Sequence, residues 1–235
     1  MTKRGVSLFF FLIFYFVLTA KHPVLLFGQE IITAEGYLRL VSDTYAGIRD
    51  YEANIVIRSG NTDMIGTVSN LQPSFLRIDF TRPAEQVIVF NGSTLILYLP
   101  EFRAILSQEI NQSRVTSGAG LASAQGLTLL RNNYVPSFLT GPSPEPLDSN
   151  NTSIMVMKLR LTRRYTSEGF REIILSINPD TRLIRRIEGR TIAEGDVRFD
   201  FTNIRTNVGI PEARFIYDAP ASANMYNNFL FRDFD

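Results

Sequence analysis

The sequence predicts a mainly β fold with α additions: a curled antiparallel sheet forming a half-open barrel, covered by a helical lid. Three observations carry that reading. From Tyr51 to Ile204, apolar and polar residues alternate with period two over most of the chain. The alternating runs are joined by short turn sequences, among them Asn91-Gly92 and Asn178-Pro179-Asp180-Thr181, which favour antiparallel neighbours. Only the stretches 33–50 and 112–134 have helical character, so they alone can cover the apolar face of a sheet too wide to stay flat.

Thr33 to Asp50 reads as a helix. Thr33 caps its start, Glu35 suits the first turn, and Tyr37, Val41, Tyr45 and Ile48 recur at helical spacing. The period then changes to two, with Ala53, Ile55 and Ile57 on one face. Gly60-Asn61-Thr62-Asp63 turns the chain, and Met64 to Leu71 returns. Phe75 to Phe80 is the cleanest strand: Leu76, Ile78 and Phe80 face one way, Arg77 and Asp79 the other. Gln86 to Phe90 and Thr94 to Leu99 flank Asn91-Gly92 as a hairpin, and Phe102 to Gln108 adds a strand.

Gln112 to Tyr134 changes character. Leu121, Leu127, Leu129 and Leu130 punctuate small residues, and Gly118, Gly120 and Gly126 weaken the short helices expected there. A break follows from Pro136 through Pro146 to Asn151. Strands resume at Ser153 to Tyr165, Phe170 to Asn178, Arg182 to Arg190 and Gly195 to Ile204, the last with Val197, Phe199 and Phe201 on one face. Ala213 to Asp218 reads as a final strand before Pro220.

The first residues read as an address. Thr2-Lys3-Arg4 precedes the apolar run Leu8 to Leu18, the layout of a secretory signal. Residues 1–28 are read as that signal, with cleavage after Gly28 preferred and Ala20 as the other candidate. Residues 29–235 are then one domain. An uncleaved anchor is the alternative, supported by the second apolar patch Val24 to Phe27. The expected location is the periplasm.

Composition removes most enzyme chemistry. The chain has no Cys, and its one His, His22, lies within the signal region. A mature chain cannot then build Ser-His or Cys-His nucleophile systems, or zinc sites of His or Cys type. Acids occupy turns and wet strand faces without ExxE spacing, and with DxD spacing only at the end, Asp233-Phe234-Asp235, so neither metal nor cofactor is expected, and the chain reads as a non-enzyme. A hydrolase using carboxylates alone would need an acid pair in one pocket. Formal net charge is only +1, with 24 basic and 23 acidic residues, so no global charge favours nucleic acid. The basic clusters Arg163-Arg164 and Arg182 to Arg190 alternate with apolar residues as wet strand faces do. Asn91, Asn111, Asn150 and Asn151 start sequons, a short pattern that arises often by chance.

One stretch carries more than strand pattern. It runs from Gly66 through Pro73, Phe80 and Pro83 to Gln86, Asn91-Gly92 and Leu95-Ile-Leu-Tyr98-Leu-Pro100. In order and spacing it resembles the outer-membrane lipoprotein carrier (LolA) family. The closing Ile210-Pro-Glu-Ala-Arg-Phe-Ile-Tyr-Asp-Ala-Pro220 agrees with the family layout. The resemblance implies an apolar cavity that holds lipoprotein acyl chains, received from an inner-membrane ATP-driven exporter and delivered to an outer-membrane receptor. A related amphiphile as cargo, or a non-carrier lipid-binding sensor of the same fold, stays open. No catalysis is required, and a shuttle needs no partner subunit, so a monomer is expected.

By pleat and by that resemblance the cavity would be lined by Ile55, Ile57, Val68, Leu76, Ile78, Phe80, Val197, Phe199 and Phe201. Thr94 to Leu99 is apolar on both faces; Ile96 and Tyr98 are taken as inward. Leu121, Leu127, Leu129 and Leu130 are the lid residues. The family's Arg before the first Pro, which bonds the lid shut, is replaced here by Gln72. Gln donates and accepts hydrogen bonds but lacks the charge and the five-donor fork.

Overall fold

The computed structural model describes residues 32–110, 118–166, 168–191 and 195–228. The apolar run Leu8 to Leu18, both cleavage candidates, His22 and the Asn111 sequon lie outside the described residues.

Helix α1 is Ala34–Ala46, capped by Thr33, whose side chain accepts from Gly36 N. The strands that follow are β1 (Asp50–Ser59), β2 (Thr62–Leu71), β3 (Phe75–Arg82), β4 (Val87–Asn91), β5 (Thr94–Leu99) and β6 (Ala104–Glu109). Helix α2, Ala124–Asn133, comes next. After it come β7 (Tyr134–Phe138), β8 (Glu145–Asp148), β9 (Asn151–Arg163), β10 (Phe170–Ile177), β11 (Ile184–Thr191), β12 (Asp196–Thr206) and β13 (Asn224–Asn227). The spatial order is β13-β6-β5-β4-β3-β2-β1-β12-β11-β10-β9-β7, with β8 pairing β9 off that path. The sheet is open, its edges are β13 and β7, and it curls around the two helices as a half-open barrel beneath a helical lid. Among the described residues every pairing is antiparallel except β13 on β6.

Local chemistry sets the turns. The Asn91 side chain accepts from Ser93 N and Thr94 N, and Gly92 takes a φ of +96°. Asn178 does the same for Asp180 N and Thr181 N. Because strand side chains alternate, the sheet has an inner face against the helices and an outer face.

Four expectations are corrected. Phe102 is not strand: Pro100–Phe102 forms a 3-10 turn, since Pro cannot donate to a ladder, and β6 starts at Ala104. Ala213 to Asp218 is not a strand either: Glu212–Phe215 is a 3-10 turn that drops Phe215 onto the outer face. The Pro-rich break contains β7 and β8, where Pro136 and Pro146 sit in strands that flank β9. Finally, β13 lies beyond Pro220, where the sequence pattern predicts no strand.

The outer face has two covers. Over β2 to β5 lies a strap, residues 207–217, that packs Ile210, Phe215 and Tyr217 against Leu71, Val87, Val89, Phe75, Ile96 and Tyr98. Asp50 anchors its start, accepting from Val208 N at 2.7 Å and Gly209 N at 3.0 Å. Burial would push the Asp50 carboxyl up, but the hydrogen bonds from Arg49 and from Gly209 and Val208 outweigh it and hold it below the usual range. Arg77 donates to Arg214 O at 3.0 Å, Arg214 pairs with Asp79, and the Arg77 guanidinium lies 6.0 Å from the Tyr217 ring centre. Over β9 to β12 the cover is ionic instead: buried Arg186 joins Asp148 of β8, at 2.7 Å, to Asp200, at 2.5 Å.

Candidate functional site

Strand pairing places the expected inward residues side by side. Ile55 lies opposite Phe201 and Ile57 opposite Phe199, while Val68 lies opposite Ile78. These six, with Leu76 and Phe80, are buried in one inner cluster, and Val197 packs against it partly exposed. The alternation that predicts them is physical: Arg77 and Asp79, like Arg198 and Asp200, hold the opposite face.

Ile96 and Tyr98 do not join this face. They pair with Val89 and Val87 and pack in the strap cluster, so the inner positions of β4 and β5 are Ile88, Phe90 and Leu95. The far half of the inner face comes from Leu159 and Leu161 of β9, Ile173 and Leu175 of β10 and Ile187 of β11. The same alternation is visible there, in Met157-Lys-Leu-Arg-Leu-Thr162, and would have found them.

The helices fill the inner face. Leu121, Leu127 and Leu130 are buried in the inner cluster, together with Leu38, Val41 and Tyr45 of α1. Leu129 is only half-buried and stays outside that cluster, because the face of α2 that points inward runs through Gly126, Leu127 and Leu130. Gly126 is there for contact. A Cβ on it would lie 2.2 Å from Gly120 O and 2.6 Å from Leu121 Cα, in the 3-10 turn Gly118–Leu121.

Gln72 holds α1, not α2. Its Nε2 donates to Tyr45 O and Ala46 O, both at 3.2 Å, and to Ile48 O at 2.6 Å. Two amide hydrogens are thus shared among three carbonyls at the end of α1; Tyr45 O also accepts from Ile48 N at 3.1 Å. On the same helix the Tyr45 hydroxyl accepts from Ile184 N at 3.0 Å, tying α1 to the start of β11.

The phenols of this layer are neutral. Burial drives Tyr45 and Tyr51 well above the ordinary phenol range and pushes Tyr37 up to about 12. Between the start of α2 and the sheet remains a void of about 20 Å³, lined in part by Asn70, Ser74, Leu76, Phe90 and Ser123. A larger pocket, about 370 Å³, opens on the outer face among Arg58, Glu172, Ile174, Glu188, Gly189, Arg190, Asp196, Val197 and Arg198, so Val197 borders this pocket as well as the inner cluster. Its walls mix apolar surface with six charged side chains, a poorer solvent for a hydrocarbon chain than the inner face, which is the stronger candidate site. Among the described residues no three His, Asp or Glu side chains converge to hold a metal ion.

The fold and site define a class: an open, curled antiparallel sheet whose apolar inner face is sealed by two helices. The resemblance read from Gly66 to Pro100 is borne out. The chain is similar to the outer-membrane lipoprotein carrier protein of Bordetella avium (strain 197N), at 23% identity over 187 residues, covering 79% of this chain and 82% of that protein. The fold is shared with an uncharacterized conserved protein from Thermus thermophilus, at a TM-score of 0.54 and 14% identity, covering 80% of this chain and 98% of that one. A LolA superfamily protein from Nitrosomonas europaea aligns at a TM-score of 0.42 and 13% identity, over 79% of this chain and 98% of that one. No family model matches the chain.

Proposed function

We propose that the chain is a periplasmic carrier that buries the acyl chains of a lipoprotein, or of a related amphiphile, between its sheet and its helices. The observation that supports it most is the seal itself: α2 presents Leu127 and Leu130 to an apolar sheet face, contacts that hydrocarbon can replace. Acyl chains cost about 0.8 kcal/mol per methylene in water, so a shuttle needs such a face, and it needs a cover that can leave. Gln72 then serves as the latch, with hydrogen bonds to α1 in place of an Arg fork. Residues 1–28 export the chain. An inner-membrane ATP-driven exporter loads it, an outer-membrane receptor unloads it, and the protein works as a monomer without a cofactor. Ile55, Ile57, Val68, Leu76, Ile78, Phe80, Val197, Phe199 and Phe201 line the acyl site, with Leu121, Leu127 and Leu130 as its movable wall.

Native mass spectrometry of the chain purified without detergent tests this. A bound mass matching a triacylated lipoprotein supports the carrier. A clean mass that persists after incubation with a triacylated lipopeptide refutes it. A second reading rests on Val24 to Phe27, the apolar patch after the main run: an uncleaved anchor would hold a lipid-sensing domain at the inner membrane. A full-length, membrane-bound product on fractionation favours that reading, and a shortened soluble one favours the carrier.

A further inference from the structure

The inner face is not uniformly apolar. Strand pairing lines up one row across its helix-covered end: Tyr51, Asn70, Leu76, Phe90, Leu95 and Gln108, each opposite the next. Amides and a phenol flank three hydrocarbon side chains, and none of the six is charged. Asn70 and Gln108 are buried, which is unusual for amides on an otherwise apolar surface. Beside the row, at the turn between β2 and β3, stands Ser74.

Two hydroxyls in this neighbourhood have no partner among the described residues. Tyr51 Oη and Ser74 Oγ are both buried and make no hydrogen bond. Ser74 also lines the 20 Å³ void beneath the start of α2, together with Asn70. An unmade hydrogen bond on a buried hydroxyl costs stability, so such groups are retained where something else satisfies them. Each is a donor in need of an acceptor. The charged residues next to Tyr51 in sequence point elsewhere: Asp50 is buried under the strap, Glu52 pairs with Arg205, and Arg49, one position further, is exposed.

We propose that this row and Ser74 form a headgroup subsite that takes the ester carbonyl oxygens of an uncharged acyl-glycerol group and discriminates against phospholipids. The inference rests on the carrier reading, which supplies the acyl chains, and adds the chemistry of the head. An ester carbonyl offers lone pairs and no charge, which matches orphan O–H donors. A phosphate in the same place would be a buried anion facing amides and phenols with no guanidinium or ammonium in the row, a costly desolvation. The subsite lies where acyl chains entering the inner face would leave their heads, at the end of the sheet that the helices cover.

The test compares three probes with equal chain length on the purified full chain: dipalmitoylglycerol, its di-O-hexadecyl ether analogue, and dipalmitoyl-phosphatidylglycerol, by competitive native mass spectrometry. The ester is expected to bind about fivefold more tightly than the ether for each hydroxyl engaged. It is expected to exceed the phospholipid by roughly tenfold or more. Tyr51→Phe combined with Ser74→Ala, both small changes in volume, should abolish the ester preference over the ether. Ser74→Lys should reverse the charge preference and draw in the phospholipid. Equal binding of ester and phospholipid by the parent chain, or an ester preference that survives the double variant, overturns the subsite and leaves the carrier standing. Failure of all three probes to bind overturns the subsite, and the carrier reading falls with it only if a triacylated lipopeptide also fails to bind.

Discussion

The sheet is covered on both faces, and the two covers are attached differently. The inner cover, α1 and α2, meets the sheet chiefly through aliphatic and aromatic contacts, with directional bonds at its margins from Gln72 and Ile184. The outer strap buries a smaller cluster but is pinned along its length: Asp50 holds Val208 and Gly209, and Arg77 and Asp79 hold the segment from Arg214 to Ile216. Apolar contact is non-directional, so a helix lying on it can be replaced by any hydrocarbon of similar shape. Hydrogen-bonded ion pairs admit one geometry. The inner cover is thus the replaceable one and the outer the pinned one, the division that the proposed carrier needs.

The largest expected effect compares two phenylalanines. Phe201→Ala empties a fully buried position of the inner layer and should cost about 4 kcal/mol by urea denaturation. Phe215→Ala, in the smaller strap cluster, should cost about 3 kcal/mol. Only Phe201→Ala should alter the uptake of an apolar dye. Equal changes in dye uptake would erase the distinction between the covers.

Next comes the anchor of the strap. Asp50→Ala leaves two backbone donors unmet under the strap and should cost about 3 kcal/mol. The same residue gives the strap a pH dependence. Because the folded Asp50 carboxyl is held below its ordinary value, its contribution is fully present above the unfolded value, near 4, and is lost as pH falls through the folded one. Protection factors at Val208 and Gly209, taken against the intrinsic exchange rate at each pH, should therefore fall in acid, and that fall should be absent in Asp50→Asn.

The strap also explains where the sequence is legible. Leu76, Ile78 and Phe80 read as inward, and are inward, because Arg77 and Asp79 mark the opposite face as polar. In β5 no such mark exists. Its outer positions, Ile96 and Tyr98, are apolar because Phe215 and Tyr217, more than a hundred residues later, come to rest in their cluster. Periodicity reports that both faces are buried but not which cover buries which. The strap is unreadable for a related reason: its alternating residues suit a strand, yet its backbone bonds are divided between side chains of the sheet and its own 3-10 turn. The lid is half legible. Leucine spacing locates Leu127 and Leu130, but Leu129 differs from them only by its angle around a helix whose packing partner the sequence does not name.

A smaller effect sharpens the comparison from the inner side. Gly126→Val forces a side chain into Gly120 O and Leu121, so α2 must leave its seat against the 3-10 turn. The expected cost is about 2 kcal/mol, from overpacking. Apolar dye binding should rise, while protection of Val208 and Gly209 under the strap should not change. Loss of protection there would mean that the two covers move as one.

The smallest effect addresses the latch. Gln72→Leu keeps a similar volume but removes the donors that close α1, leaving the Ala46 and Ile48 carbonyls to water and Tyr45 O with Ile48 N alone. Because those carbonyls are near the surface, the loss in global stability should be about 1 kcal/mol. Kinetics should respond more than stability, since the bond lies at the margin of a cover otherwise held by apolar contact. Acyl chains should enter and leave faster in Gln72→Leu, with little change in equilibrium affinity. Gln72→Arg should do the opposite, as a guanidinium bonds carbonyls with more donors and with charge. Stopped-flow displacement of a bound fluorescent fatty acyl probe separates these outcomes. Unchanged rates in both variants would show that the seal of Leu127 and Leu130, rather than the end of α1, limits opening.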